Sequence, residues 1–320
     1  MNPVLAQVYS WASQFSRYCL VVVVALIVGF KLTGVSIPLS AQIVTALISL
    51  LIGIPHGAID HLVAIQKEPR NKFFLYIILY TLIAVLSGWG IATWNQNGFQ
   101  VIVLLSSLHF GFGDASYANE WRDAGGIARY KKFSEYAYAI PEGLIPVILP
   151  LTDSRALSAL NRINHSLGGW AGSYTQLIRN VTFALTILGI LVLVINRSAT
   201  LIVDLLLLTT LATLAPPLIT FSLYFGCWHA IRHTARLVPK LASARTAIDK
   251  GDSKGAIICA VVPGLYAVVG TLLIAALLLV FDPHKFGSGL LWTTLVIVWA
   301  LTVPHMLTTA KFDRKALFNK

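Results

Sequence analysis

Residues 257–281 read IICAVVPGLYAVVGTLLIAALLLVF, and no side chain in this stretch carries a charge. A helix of about 20 apolar residues crosses the hydrocarbon core of a bilayer, so the stretch predicts a transmembrane helix. Over the whole chain of 320 residues, hydrophobic side chains make up 57% and charged side chains only 12%. A soluble domain carries about 25% charged residues, and disorder requires low hydrophobicity with high charge. The composition therefore excludes most soluble folds and predicts a polytopic membrane protein.

Further apolar runs occur along the whole chain. The runs lie at residues 17–34, 39–64, 73–94, 98–119, 133–151, 176–195, 199–214, 216–238, 257–281 and 289–310. The fifth and seventh runs are short for a span, so eight spans with two half-spans fit as well as ten. We predict an all-α, polytopic transmembrane helical bundle of about eight to ten spans, built as one integral membrane domain over residues 1–320. Residues 152–175 are mixed in character and predict an outside loop.

The basic residues are distributed unequally between the two sets of loops. If the N-terminus is cytoplasmic, 18 Lys and Arg fall on inside segments and five fall on outside loops or outside helix ends. Because positively charged loops stay in the cytoplasm, this distribution predicts cytoplasmic termini and a multi-pass protein of the cell inner membrane. The net charge of +11 comes mainly from these loops, so no nucleic-acid partner is expected.

Five histidines lie inside predicted spans at similar depth. They are His56, His109, His229, His233 and His305, all on even-numbered runs, which pass from outside to inside. At a rise of 1.5 Å per residue, their depths agree within about 9 Å. Because an ionisable side chain is costly to bury in a membrane, this shared layer in the cytoplasmic half of the bilayer predicts a functional site.

The three remaining histidines do not share this position. His61 follows His56 by five residues and falls on another helix face near a helix end, so we interpret it as interfacial. His165 and His284 fall in outside loops, where a solvated side chain is expected.

The spacing of two histidines predicts a metal site. His229 and His233 are four residues apart in Trp228-His229-Ala230-Ile231-Arg232-His233, which places both rings on one helix face. A cluster of neutral imidazoles suits iron, copper or zinc. For each histidine alone, a hydrogen-bonded structural role is the alternative, and for His305, which follows Pro304, a structural role in a kinked helix stays open.

Two aspartates lie close to these histidines in the sequence. Asp60 follows His56 by four residues, and Asp114 follows His109 by five. Asp60 could accept the second ring N–H of a ligand and so hold its tautomer, and Asp114 could do the same for a ligand on a neighbouring helix. Helix packing is the alternative role for both.

Aromatic residues occur in the same segments, among them Phe110, Tyr224 and Trp228. As a group they could line an apolar tunnel for a substrate. For any one of them, lipid contact or helix packing is the simpler interpretation.

Four segments resemble the motifs of a known family. They are Gly53-Ile54-Pro55-His56-Gly57-Ala58-Ile59-Asp60-His61, Ser107-Leu108-His109-Phe110-Gly111-Phe112-Gly113-Asp114, Trp228-His229-Ala230-Ile231-Arg232-His233 and Val303-Pro304-His305-Met306, in family order. The family is the Brp/Blh group, the bacterial and archaeal membrane β-carotene 15,15′-dioxygenases. The motifs extend from residue 53 to residue 306, so the resemblance covers nearly the whole chain.

The resemblance implies an enzyme that uses iron(II), Fe2+, and O2 to cleave the central 15,15′ double bond of β-carotene into two molecules of all-trans-retinal. Carried over position by position, His56, His109, His229 and His233 match the family's metal ligands and catalytic residues, and His305 matches a further family histidine. β-Carotene, O2 and the lipid bilayer are then the expected partners. Hand-over of retinal to an opsin is a hypothesis that the sequence leaves open.

A histidine-lined transporter of metal ions or protons is the alternative from another functional class. A transport pathway places ionisable residues at several depths of the membrane. In this sequence they lie in one layer, and the outer half of the spans contains almost none. The pattern therefore favours the enzyme and keeps the transporter as the second hypothesis.

Overall fold

The computed structural model describes residues 2–65, 69–281 and 288–318 of the chain, with side chains described outside 274–281, 288–291, 294, 315 and 318. In these ranges the chain is helical and contains no strand. The α-helices are α1 Pro3–Leu32, α2 Leu39–Ala58, α3 Asp60–Ala64, α4 Arg70–Thr93, α5 Asn95–Ala124, α6 Lys132–Leu151, α7 Ser154–Ile163, α8 His165–Gly168, α9 Thr175–Ile195, α10 Ala199–Leu214, α11 Pro217–Leu223, α12 Ala230–Leu237, α13 Ala242–Asp249, α14 Ser253–Phe281 and α15 Ser288–Phe318. A π-helical segment, Tyr224–His229, joins α11 to α12, and short 3-10 turns occur at Gly172–Tyr174 and Val238–Lys240.

Within the described ranges, seven helices are long and apolar enough to cross a membrane. The pair α6 and α7, bent by 70° at a short break, brings the number to eight if it counts as one span. Helix α10, with 16 residues, is shorter. The prediction of an all-α polytopic bundle is confirmed, whereas a total of ten spans and the direction of the termini stay predictions.

The outer surface of the bundle is apolar, as a bilayer requires. On α4, for example, the side chains of Ile78 and Val85 are each 62% exposed and that of Leu86 is 55% exposed. Exposed apolar surface on this scale is unfavourable in water and favourable against lipid chains. The helices therefore turn aliphatic side chains outward and keep their polar side chains for the interior.

Helix α5 lies inside the bundle and packs against α1, α4, α6, α12 and α15. Its crossing with α6 is very close. A Cβ atom at Gly111 would overlap the carbonyl of Ala139, and one at Gly143 would overlap the carbonyl of Ser107. Small residues at such crossings let two helix backbones approach each other. Gly111 therefore permits this close packing, and Gly143 supplies the matching position on α6.

The prediction of a loop over residues 152–175 is wrong. The structure places the short helices α7 and α8 and a 3-10 turn in this region. Asp153 accepts a hydrogen bond from the backbone N–H of Arg155, and Asn164 accepts one from that of Ser166. Such caps satisfy the free N–H groups at a helix start, so short polar helices form where the composition alone indicates a loop.

We expect Gly111→Ala to destabilise the protein, because the new methyl group must displace the α6 backbone. Overpacking of this kind costs about 1–3 kcal/mol. Gly29→Ala in α1 is the matched control, since no heavy atom of a described neighbour lies within 4 Å of the added Cβ. The measurement is the apparent melting temperature of both variants in detergent. Equal melting temperatures for Gly111→Ala and the wild type would contradict the close crossing.

Candidate metal centre

Five of the described histidines gather inside the bundle. The ring centroids of His56, His109, His229, His233 and His305 lie 5.0 to 6.3 Å from one another in eight pairs. All five side chains are buried. They come from α2, α5, the π-helical segment with the adjoining α12, and α15, so four parts of the chain that are distant in sequence meet at one place. The predicted common layer of histidines is thus observed as a cluster.

The structure describes two histidines outside this cluster, and neither is buried. His61 is partly exposed in α3, and its ring lies 6.4 Å from that of Phe73. His165 is exposed at the start of α8. His284, predicted in an outside loop, lies outside the described residues.

The π-helical segment sets the position of His229. The segment packs very closely against α2. A Cβ atom at Gly226 would lie only 2.6 Å from the carbonyl oxygen of Ser49. Single π-helical turns within helices occur often at functional sites. His229 ends this segment and His233 follows in α12, with ring centroids 5.7 Å apart and ring planes at 27°. The predicted pairing of these two histidines on one face is therefore observed.

Nδ1 of each of two histidines lies against an oxygen atom that can accept a hydrogen bond from it. Nδ1 of His56 donates to the carbonyl of Gly53, three residues earlier in α2. Nδ1 of His109 lies 3.2 Å from the hydroxyl oxygen of Thr309, whose own proton can bond the His305 carbonyl 3.1 Å away. With Nδ1 protonated, a neutral imidazole leaves Nε2 as its free lone pair. Thr309 was missed by the sequence analysis, although its place four residues after His305 on one helix face was a usable signal.

Asp60 bonds to His305 and not to His56, the histidine that its spacing in the sequence suggested. Its Oδ2 atom accepts a hydrogen bond of 2.8 Å from Nδ1 of His305 on α15, whereas His56 bonds within its own helix. The reason is a break in the helix, since α2 ends at Ala58 and Asp60 begins α3. A spacing of four residues does not put two side chains on one face across such a break.

Asp114 lies beside His229, as predicted for a histidine of a neighbouring helix, but beyond hydrogen-bond distance. Its Oδ2 atom is 3.7 Å from Nδ1 of His229. The Tyr224 hydroxyl lies 3.0 Å from Asp114 Oδ2 and 3.1 Å from Oε1 of Glu142 on α6. Glu142, which is fully buried, was also missed, although a glutamate inside the apolar run 133–151 is itself an unusual feature.

The predicted aromatic residues divide into two groups. The ring of Phe110 lies 4.6 Å from that of His229, and the ring of Tyr224 lies 6.1 Å from it. Both therefore adjoin the histidine cluster. Trp228 instead packs under the guanidinium of Arg232, whose Cζ atom is 3.5 Å from the ring centroid. The structure thus gives Trp228 a packing contact with Arg232.

Arg232 is buried inside the bundle and does not extend to its surface. Its Nη2 atom lies 3.1 Å from Oδ2 of Asp204 on α10, and Nε of Arg17 on α1 lies 2.6 Å from Oδ1 of the same carboxylate. The side chains of Arg232 and Asp204 are 1% and 3% exposed. This buried ion pair connects α1 and α10 to the helix that carries His233.

An apolar cavity of about 460 Å³ lies beside these helices. It is lined by residues of α1, α2, α12 and α14, including Pro55 and Ile231, and no histidine of the cluster contributes to its wall. The predicted aromatic tunnel is therefore not the same space as this cavity.

The cluster has the chemistry of a metal site without a formed coordination geometry. In the described ranges, no three His, Cys, Asp or Glu side chains are arranged to hold one ion. Both ring nitrogens of His229 and His233 and Nε2 of His305 are nevertheless buried with no hydrogen-bond partner among the described residues. Orphaned buried nitrogens are costly, and a metal ion would satisfy one nitrogen of each of these three rings. The donor set therefore fits a metal, and the metal site stays a prediction.

We expect Asp204→Leu to lower the stability strongly, because two arginines lose their carboxylate partner. Removing one member of a buried ion pair costs about 3–5 kcal/mol. Asp123→Ala is the control, since its pair with Arg129 is 40% and 36% exposed and is worth at most about 1 kcal/mol. Unfolding in mixed detergent micelles measures both. A loss no larger than that of the control would show that Asp204 does not hold the two arginines.

The comparisons with known proteins match the part of the chain that carries the clustered histidines. A family model described as β-carotene 15,15′-dioxygenase matches residues 47–313. The chain is similar to a probable β-carotene 15,15′-dioxygenase, Blh, of Halobacterium salinarum, with 24% identity over 307 residues that cover 88% of each chain. No solved structure matches the chain. The matched residues include all five clustered histidines, and the chain belongs to the β-carotene 15,15′-dioxygenase family.

Proposed function

We propose that this protein cleaves the central 15,15′ double bond of β-carotene with O2 and releases two molecules of all-trans-retinal. Each carbon of the cleaved bond receives one oxygen atom, so both atoms of O2 are used. Membership of the family supports the substrate, and the similar protein of Halobacterium salinarum has the same activity in its name. The single observation that carries the proposal is the cluster of five buried histidines at the family's motif positions.

We further propose iron(II) as the cofactor, with His56, His109, His229 and His233 as ligands. The Gly53 carbonyl only accepts a hydrogen bond, which leaves Nε2 as the free nitrogen of His56. The Thr309 hydroxyl can accept from Nδ1 of His109 in the same way. Neutral imidazoles suit iron, and partners such as the Gly53 carbonyl and Thr309 hold a ligand in place. When bound, iron(II) supplies the activation of O2, for which open coordination positions are needed.

The protein surroundings suit a hydrocarbon substrate. A polyene has no acidic proton, so cleavage needs no general acid or base from the protein. What the side chains must do is position one double bond and exclude water. Phe110 and Tyr224 place aromatic rings against His229, and the lipid-facing side chains of the bundle allow a carotenoid to approach from the bilayer. The inner membrane as location and retinal hand-over to an opsin stay hypotheses.

The direct test is expression in bacteria engineered to accumulate β-carotene. We expect the orange colour to fade and retinal to appear by chromatography, with neither change for His229→Ala. Cleavage at another bond would give aldehydes of unequal length and would exclude a central attack. Intact β-carotene in cells with well-folded protein in the membrane would contradict the proposed reaction, and metal transport would then be tested.

Alanine at each of His56, His109, His229 and His233 should abolish both iron content and cleavage, because each removes one imidazole from the proposed ligand set. Iron is measured in protein purified and reconstituted without oxygen, and cleavage by retinal formation. His165→Ala, an exposed side chain, is the control and should match the wild type. Full iron content in any one of the four variants would remove that residue from the ligand set.

A further inference from the structure

His305 lies in the histidine cluster as closely as the four proposed ligands do. Its ring centroid is 5.1 Å from that of His56, 5.2 Å from that of His109 and 5.5 Å from that of His233. Five pairs among the four other rings are 5.0 to 6.3 Å apart. Geometry therefore gives no reason to separate His305 from the other four.

The two nitrogens of His305 are in different situations. Nδ1 donates a hydrogen bond of 2.8 Å to Oδ2 of Asp60, and the two side chains are 7% and 5% exposed. Nε2 is buried and has no partner within the described part of the chain. Because a carboxylate only accepts hydrogen bonds, a neutral His305 has its proton on Nδ1 and its free lone pair on Nε2.

Asp60 is itself held in position. The Tyr80 hydroxyl on α4 donates to the same Oδ2 atom at 3.3 Å. Asp60 stands in the first turn of α3, directly after the break that ends α2. A metal-binding histidine usually donates a hydrogen bond from its other ring nitrogen to a carboxylate. That bond orients the ring, so that the free nitrogen points towards the metal. In this cluster the arrangement is best formed at His305.

We propose that His305 is a fifth ligand of the metal, and that Asp60 is the positioning residue that directs its Nε2 atom. This inference rests on the proposed function, because it requires a metal in the cluster. A merely structural role, in which the bond between His305 and Asp60 ties α15 to α3, needs Nδ1 alone. A metal ligand needs Nε2 as well. A substitution that keeps the bond at Nδ1 and removes Nε2 therefore distinguishes the two roles.

The test uses His305→Asn, whose side-chain amide places an N–H donor near the position of Nδ1 and nothing at Nε2. It keeps the bond to Asp60 and removes the proposed ligand atom. We expect the iron(II) affinity, measured by chelator competition without oxygen, to fall by about 10–100-fold, the loss typical of a disturbed metal shell.

Asp60→Leu should lower the affinity within the same range, and Asp60→Asn, which keeps an acceptor for Nδ1–H, should lower it less. His61→Ala is the matched control, adjacent to Asp60 but outside the cluster.

X-ray absorption at the iron edge counts the imidazoles bound to iron. In the wild-type protein this count does not depend on whether any variant folds. We expect five imidazoles in the wild-type protein and four in His305→Asn. Four imidazoles in both, with equal iron affinity, would overturn this inference and leave the proposed function intact. A wild-type protein that binds no iron would overturn both proposals.

Discussion

The five imidazoles of the cluster carry their ring nitrogens in the buried interior of the bundle. Such atoms are costly unless they are bonded, and the structure around the cluster follows from that cost. Gly53, Thr309 and Asp60 each contact Nδ1 of one histidine. Both nitrogens of His229 and His233 and Nε2 of His305 have no partner among the described residues.

This arrangement requires the helices to approach closely. A Cβ atom at Gly53 would overlap the ring of Phe225, and Cβ atoms at Gly111 and Gly143 would overlap the backbone where α5 crosses α6. A Cβ atom at Gly113 would lie 3.3 Å from the His229 ring. Glycines therefore allow close contact where the histidines and their supporting helices meet, whereas the bulky aliphatic residues face the bilayer.

Much of the fold and part of the site could be predicted from the sequence. The absence of charges over residues 257–281 is sufficient to predict a helix there, because a chain in hydrocarbon must satisfy its own backbone hydrogen bonds. The spacing of His229 and His233 predicts their shared face for a similarly local reason. The loop predicted over residues 152–175 was wrong, since side-chain caps formed helices that composition does not indicate. Glu142 and Thr309 escaped notice because their partners, Tyr224 and His109, lie far away in the sequence.

By itself the sequence determined the helical class of the protein, its apolar surface and the histidine positions, because each follows from local composition and from spacing within one helix. Only the tertiary structure decided which groups meet. It paired Asp60 with His305 rather than with His56, since the break after Ala58 turns Asp60 towards α15. It also placed His305 inside the cluster, because the packing of α15 against α4 and α5 is a relation between distant segments that no local pattern records.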